Sequence, residues 1–117
     1  MFGKKNQVHI TIDDGPSLQY TAILAGILKA HKAQATFFVL GENMEKWSAQ
    51  SKVLQDFQLG NHGYKHINNW RTSPGKQIEN IQRVEEKFPE IEKYYRPPYG
   101  LLTISQLLYC YGRLAIK

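Results

Sequence analysis

The sequence is poor in cysteine, and that scarcity limits how the chain can be stabilised. Cys110 is the one cysteine among 117 residues, so no disulfide can form within the chain. It lies between two tyrosines in an apolar run, where we expect it to act as a small buried hydrophobic residue. The apolar fraction of 42% is sufficient for a packed core, so we predict a folded domain without covalent cross-links.

Long hydrophobic runs, repeats, linkers and low-complexity stretches are also lacking. The basic segment 1–7 is followed by only a short apolar run, which is neither a signal peptide nor a membrane span. As written, the chain is expected to be cytoplasmic, with the cell envelope or secretion expected if it is a fragment of a longer protein. We predict one domain over residues 1–117.

Basic residues exceed acidic ones, but they are not clustered. The net charge is +5, and acids and bases alternate in stretches such as Arg83–Lys87, as is typical of a solvated helix face. This pattern predicts no nucleic-acid partner. A basic nucleic-acid-associated domain is the least favoured of three hypotheses, and strong salt-sensitive DNA binding without metal would support it.

Hydrophobic patterns alternate between strand and helix along the chain. We predict strands at 8–12, 35–40, 58–60, 92–95 and 113–117, and helices from Ser17 to His31, over 44–56, over 74–88 and from Thr103 or Ser105 to Tyr111. Such alternation predicts an α/β fold, with parallel strands alternating with helices and right-handed crossovers.

Three polar stretches follow predicted strands one, three and four: Asp13–Pro16, His62–His66 and Arg96–Gly100. Taken alone, they are respectively a good turn, a polar helix face, and a loop or proline-rich ligand. Because parallel α/β folds place their sites at the C-terminal ends of strands, the three together predict one converging site. His9 and His31 lie outside these stretches and are interpreted as structural.

The first two stretches contain a metal-ligand set. Asp14, His62 and His66 supply one oxygen and two nitrogens, which suits zinc or another divalent metal with positions left for water and substrate. If the second stretch is helical, its four-residue spacing places both imidazoles on one face. Asp13 is then free to act as a general base, provided that the backbone turns before Gly15 so that both aspartates border one cavity.

The third stretch contains groups that complement this set. The Arg96 guanidinium can pair with Asp13 and orient it, and the Tyr99 backbone N–H can donate to an oxyanion. Tyr64, Trp70 and Tyr99 are predicted to stack on sugar rings, although core packing is an equally good interpretation of Tyr64 and Trp70.

These motifs resemble those of the polysaccharide deacetylase family, also called the NodB-homology or carbohydrate esterase family 4 domain. The stretch Thr11–Pro16 resembles its first motif, with Ile12 in place of phenylalanine. The stretch His62–His66 resembles its second, with Gly63 in place of a hydroxyl residue, and Arg96–Gly100 resembles its third. Residues 35–39 are similar to the family's second strand.

The resemblance implies the N-terminal part of a distorted (β/α) barrel (NodB-like) that removes N-acetyl groups from an amino-sugar polymer such as peptidoglycan or a chitin-like polysaccharide. It implies zinc, or cobalt, as the cofactor. The roles it implies are a catalytic base at Asp13, metal ligands at Asp14, His62 and His66, an orienting group at Arg96, and an oxyanion donor at the Tyr99 amide.

The chain departs from the family pattern after its third motif. The family's Asp-Trp stretch and its Leu-x-His motif, whose histidine is the general acid, are not found. The first hypothesis is therefore a metal-dependent deacetylase represented by its N-terminal part. The second is a truncated, non-catalytic remnant that binds metal or carbohydrate. An open sheet edge leads us to expect homo-oligomers in either case.

Overall fold

A five-stranded parallel sheet forms the centre of the fold in the computed structural model, which describes residues 6–117. The strands lie side by side in chain order, so each pairs with the next one along the sequence. Their bounds are Ile10–Asp13 (β1), Ala35–Val39 (β2), Gln58–Asn61 (β3), Tyr94–Tyr95 (β4) and Ala115–Ile116 (β5).

Helices separate successive strands, which confirms the predicted alternation. They are Thr21–Ala30 (α1), Gly41–Lys46 (α2), Ser48–Val53 (α3), Pro74–Lys87 (α4) and Ile104–Cys110 (α5). None of these helices is long and apolar enough to cross a membrane within residues 6–117. Because every crossover carries its helix between two parallel strands, the C-terminal ends of all five strands meet at one edge.

Two predicted helix bounds are wrong. The single helix expected over 44–56 is divided into α2, α3 and a 3-10 turn, because Trp47 leaves the helical region with φ −118° and ψ 59°. The predicted start at Ser17 is also wrong, because the helix begins at Thr21 and the Ser17 hydroxyl accepts the backbone N–H of Tyr20 in the turn before it. Thr103 does cap α5, in a reciprocal capping box with Gln106.

The main core lies between the sheet and the helices. β2 is buried along its whole length, as its continuous apolar run predicts, and Phe37 and Val39 face the helix side. A second cluster packs α4 and α5 against β4 and contains Ile81, Tyr95 and Cys110. The expected burial of Cys110 is thus confirmed, since its side chain is 1% exposed.

The other face of the sheet carries polar side chains together with the Phe38 ring. The His9 ring hydrogen-bonds the Thr36 hydroxyl at 2.9 Å, and that hydroxyl donates to the side-chain oxygen (Oε1) of Gln58 at 2.6 Å. A cavity of about 360 Å³ lies over these residues.

Candidate metal centre

A second cavity, of about 550 Å³, opens at the C-terminal ends of the strands. Its lining comes from all three polar stretches predicted to converge, from Leu102, and from residues 116 and 117: Asp13, Asp14, His62, His66, Arg96, Pro97, Tyr99, Gly100, Leu102, Ile116 and Lys117. The fold therefore brings together six of the eight residues that the sequence predicts as site residues.

Both aspartates reach this cavity because the backbone turns between them. Asp13 is the last residue of β1, whereas Asp14 has a φ of 74° in the left-handed region that non-glycine residues rarely adopt. Two hydrogen bonds hold the turn: the Asp14 N–H donates to the Phe38 carbonyl at 3.1 Å, and the Asn43 amide donates to the Asp14 carbonyl at 2.8 Å. Adjacent carboxylates would point to opposite faces in a regular strand. Because Asp14 adopts the left-handed conformation, the carboxylates of Asp13 and Asp14 both border one cavity.

Asp14, His62 and His66 form the one group within residues 6–117 that could hold a metal ion. Oδ1 of Asp14 lies 3.1 Å from Nε2 of His62 and 3.3 Å from Nε2 of His66. One ligand atom from each residue lies within 4.8 Å of the others. Separations of this size are those of donors around a single cation bound at about 2.0–2.2 Å from each.

The protonation of His62 follows from its other ring nitrogen. Nδ1 lies 2.6 Å from the Arg96 carbonyl oxygen, which can only accept, so Nδ1 carries the hydrogen. In the neutral ring, Nε2 then presents a lone pair to the carboxylate of Asp14. Two lone-pair groups this close together repel each other unless a proton or a metal cation lies between them, and the donor set has the ligand types that suit a divalent metal.

The segment between the two histidines is a loop, and the expectation that helical spacing aligns them is wrong. β3 ends at Asn61, and residues 62–66 form no helix. Gly63 has a φ of 91°, and its N–H donates to the Asn61 side chain at 2.7 Å. The loop reverses direction over Tyr64 and Lys65, and His66 returns to the cavity, with its ring centroid 5.2 Å from that of His62.

Arg96 lies beside the aspartate that is left free of the ligand set. Its guanidinium donates to Oδ1 of Asp13 at 2.9 Å and to the Thr11 hydroxyl at 3.0 Å, and it stacks over the Phe38 ring at 4.1 Å from the centroid. These contacts fix the arginine side chain from three sides. The arrangement can hold the Asp13 carboxylate in one orientation at the edge of the cavity.

Tyr99 projects into the cavity from the turn after β4. Its φ of 58° places it in the left-handed region, and its ring packs edge-on against His66 with centroids 4.5 Å apart. Among the described residues, no acceptor is paired with the Tyr99 N–H, whereas the next two amides donate to the carbonyls of Pro97 and Pro98. The N–H of Tyr99 is thus available to an acceptor bound in the cavity.

The buried position of Tyr64 contradicts the prediction that its side chain contacts a sugar. It is 8% exposed in the main core, and its hydroxyl donates to the carboxylate of Glu45 on the outside of the fold. That hydrogen bond raises the pKa of Tyr64. The alternation of loop residues between core and cavity explains the difference, since the loop turns Tyr64 inward between two cavity-facing histidines.

Trp70 lies in a 3-10 turn beside the cavity. Its side chain is 70% exposed. Its Nε1 donates to the backbone carbonyl of Leu102 at 3.4 Å, and Leu102 itself lines the cavity. It does not line the cavity itself. Its predicted contact with a sugar therefore stays a prediction for a ligand that extends past the cavity mouth.

The sequence interpretation missed three lining residues, Leu102, Ile116 and Lys117. None belongs to a recognisable motif, and two of them come from β5 and the residue after it, which the sequence placed only as a strand. It also missed Asn61, which is buried and anchors the histidine loop. A polar residue directly before a strand-end motif was the one available signal for it.

Comparison with known proteins identifies the family. The family model described as "Polysaccharide deacetylase" matches residues 3–109. A peptidoglycan-N-acetylglucosamine deacetylase of Bacillus cereus is 37% identical over 109 residues, which cover 88% of this chain and 40% of that protein. A chitooligosaccharide deacetylase of Azorhizobium caulinodans is 27% identical over 121 residues, which cover 97% of this chain and 57% of that protein.

The fold comparison gives the same result. The crystal structure of the Bc1960 peptidoglycan N-acetylglucosamine deacetylase superposes with a TM-score of 0.87 at 33% identity, covering 92% of this chain and 54% of that one. The chain thus spans about half the length of the relatives it matches. Its parallel sheet with alternating helices corresponds to part of their barrel. The chain belongs to the polysaccharide deacetylase family.

Proposed function

We propose that this chain forms the metal-binding part of a hydrolase that removes N-acetyl groups from an amino-sugar polymer of the peptidoglycan or chitin type. The printed activities of its relatives support this substrate class. The observation that carries the proposal is the convergence, in one cavity, of the Asp14, His62 and His66 set with the Asp13 and Arg96 pair.

The residues of the ligand set would hold zinc, with cobalt as an alternative. A bound divalent cation would supply Lewis-acid chemistry to water and to the acetyl carbonyl. His62 is oriented for this role by the hydrogen bond from its Nδ1 to the Arg96 carbonyl. Asp14 contributes the negative charge that partly balances the cation.

Asp13 would act as the base. As water adds to the acetyl carbon, the Asp13 carboxylate accepts one proton, held in place by the Arg96 guanidinium. The Tyr99 N–H would donate to the oxyanion that develops on the carbonyl oxygen. The C–N bond then breaks, the amine nitrogen takes up the proton that Asp13 accepted from water, and the products are acetate and a free amino sugar.

Two exposed aromatic rings would contact the polymer. Tyr99 borders the cavity and Trp70 lies beside its mouth, so sugar rings that extend past the reacting residue would meet them in turn. Exposed aromatic faces of this kind suit the apolar faces of sugars. Tyr64 is excluded from this surface by its burial.

A non-catalytic remnant that binds metal or carbohydrate is the second candidate. Within residues 6–117, both histidines that line the cavity belong to the ligand set, so no further imidazole there can serve as a proton donor to the amine.

One assay separates the two candidates. The zinc-loaded 117-residue chain is incubated with an N-acetylglucosamine oligomer, and released acetate and bound zinc are both measured. Acetate release that is lost in Asp13→Asn supports the deacetylase. Zinc bound with no acetate released at any pH supports the remnant. A chain that binds neither zinc nor oligomer contradicts both.

A further inference from the structure

The loop between the two histidines is fixed by an unusually complete set of hydrogen bonds. Each backbone N–H and C=O of its three residues, Gly63, Tyr64 and Lys65, has a partner. Gly41 and Glu42, at the start of α2, donate to the carbonyls of Gly63 and Tyr64 at 3.0 and 2.9 Å. A loop with all its polar groups paired has few alternative conformations.

A single residue of α4, Asn80, supplies three of these bonds. Its side-chain oxygen accepts the Lys65 N–H at 2.9 Å, and its side-chain nitrogen donates to the Lys65 carbonyl at 2.9 Å. Its own backbone carbonyl accepts the Tyr64 N–H at 2.9 Å. Lys65 directly precedes His66, so the side-chain amide of Asn80 holds the peptide from which the second histidine projects.

Gly63 and Asn80 are sterically linked. A Cβ atom at position 63 would lie 2.4 Å from Nδ2 of Asn80, and the φ of 91° disfavours any side chain there. The amide of Asn80 thus occupies the space in which a residue with a side chain would need to fit. This linkage gives a physical reason for the departure at Gly63 from the hydroxyl residue of the family motif.

We propose that Asn80 is a positioning residue that sets His66 against His62 and so determines the geometry of the ligand pair. The proposal rests on the proposed metal site for its effect on zinc, but the effect on the loop is independent of metal. An asparagine in the middle of a helix is otherwise unfavourable, because its short amide competes for backbone hydrogen bonds. Here that amide is used on a neighbouring loop instead.

The test uses two substitutions at Asn80 and one control. Asn80→Ala removes both side-chain bonds to Lys65, and Asn80→Asp keeps the acceptor but loses the donor. Glu79→Ala changes the neighbouring exposed residue of α4. Zinc affinity is measured by competition with a chromophoric chelator, and the visible spectrum of the cobalt form reports on ligand geometry. Amide hydrogen exchange of residues 63–66 is measured without metal.

We expect Asn80→Ala to weaken zinc binding about 10-fold or more, the range found for residues that orient metal ligands, and to change the cobalt spectrum. Asn80→Asp should lie between it and the wild type, and Glu79→Ala should match the wild type. Exchange at the Lys65 amide should accelerate in Asn80→Ala and remain unchanged in Glu79→Ala.

A second comparison tests the linkage with Gly63. Gly63→Ala should weaken zinc binding more in the wild-type background than in Asn80→Ala, because removal of the amide relieves the clash. Equal losses in the two backgrounds would contradict the linkage.

Three outcomes decide the proposal. Unchanged zinc affinity, cobalt spectrum and exchange in Asn80→Ala would overturn it. If Asn80→Ala does not fold, the isosteric Asn80→Asp decides, and zinc affinity equal to the wild type in that variant would overturn it. If the wild type binds no metal, the proposed function fails, and accelerated exchange at Lys65 in the metal-free variant still supports the positioning role.

Discussion

At the scale of single residues, the neighbouring Asp13 and Asp14 contact different partners because their backbone conformations differ. Asp13 ends a strand and meets a guanidinium, whereas Asp14 lies in the left-handed region and faces two imidazoles. One charge-assisted bond from Arg96 holds the first carboxylate, and the second is free to bind a cation. The roles proposed for the two side chains follow from this division.

Arg96 allows the division to be tested. Arg96→Lys keeps the positive charge but loses the planar fork, so the bond to Thr11 and the stacking on Phe38 should be lost. We expect the free energy of unfolding to fall by about 1 kcal/mol in chemical denaturation. Zinc affinity should stay within about twofold of the wild type, since His62 contacts the backbone carbonyl at this position.

The exposed Arg71 provides the control, because Arg71→Lys should change neither stability nor zinc affinity. A loss of zinc affinity in Arg96→Lys as large as that caused by removal of a histidine would show that the arginine side chain belongs to the metal site.

Some residue roles could be predicted from the sequence and others could not. The ligand set and its base were predictable as neighbours, because strand-end residues of a parallel sheet share one edge. The burial of Tyr64 was not, because it depends on a loop that turns the chain inward between two site residues. Asn80 was equally hidden, since its partners lie 15 residues away in the chain.

At the scale of elements, the sheet was largely predictable and the loops were not. The hydrophobic patterns placed all five strands and the helices α1, α4 and α5 to within a few residues. The helix is divided at Trp47 by non-helical backbone angles that no local pattern signalled, and the loop at His62 arises from tertiary contacts that override local pattern. The loop in particular is set by α2 and α4, which no local signal reveals.

The cluster that joins α4, α5 and β4 predicts a loss of stability at alkaline pH. Burial raises the pKa of the Cys110 thiol from its ordinary value near 9 to about 11, and burial raises the pKa of the Tyr95 hydroxyl from 10 to about 12. At a pH between the ordinary and the raised pKa of each group, the unfolded chain has released a proton that the folded chain retains. The free energy of unfolding should therefore fall from about pH 9 upward, by at most about 1.4 kcal/mol per pH unit for each group.

Melting temperatures from pH 8 to pH 10.5 measure this effect. Cys110→Ala should be less stable throughout but should show a shallower decline with pH, because the titration of the Cys110 thiol is gone. Tyr111→Phe, which removes an exposed hydroxyl next to the cluster, should leave the slope unchanged. A slope in Cys110→Ala as steep as in the wild type would contradict the assignment.

At the scale of the whole molecule, the sheet of residues 6–117 has an unpaired edge strand on each side. β1 and β5 are its edges, and the chain spans about half the length of its relatives. Large apolar side chains are exposed on the helices beside these edges: Ile23 and Ile27 on α1, and Ile104 and Leu108 on α5. The predicted association of chains through the open strand edges stays a prediction. We propose these helix faces, with their exposed apolar side chains, as the place where it occurs.

Two substitutions test that placement. Leu108, which is 72% exposed, and Ile23 should each tolerate glutamine with a change in the free energy of unfolding of about 0.5 kcal/mol or less. Each should raise the monomer fraction of the 117-residue chain in sedimentation velocity over a range of concentrations. Glu86→Gln, an exposed change on α4, serves as the control. A wild-type chain that is monomeric at every concentration would contradict the association itself.

The central claim is that Asp14, His62 and His66 bind a metal while Asp13 does not, and a zinc titration tests it most directly. Competition with a chromophoric chelator is measured for the wild type, Asp13→Asn, His62→Ala and the control His31→Ala, whose exposed histidine ends α1. We predict one zinc per chain in the wild type. Asp13→Asn and His31→Ala should stay within about threefold of its affinity, and His62→Ala should fall about 100-fold or more. A wild type that binds no zinc, or equal losses in Asp13→Asn and His62→Ala, would contradict the account.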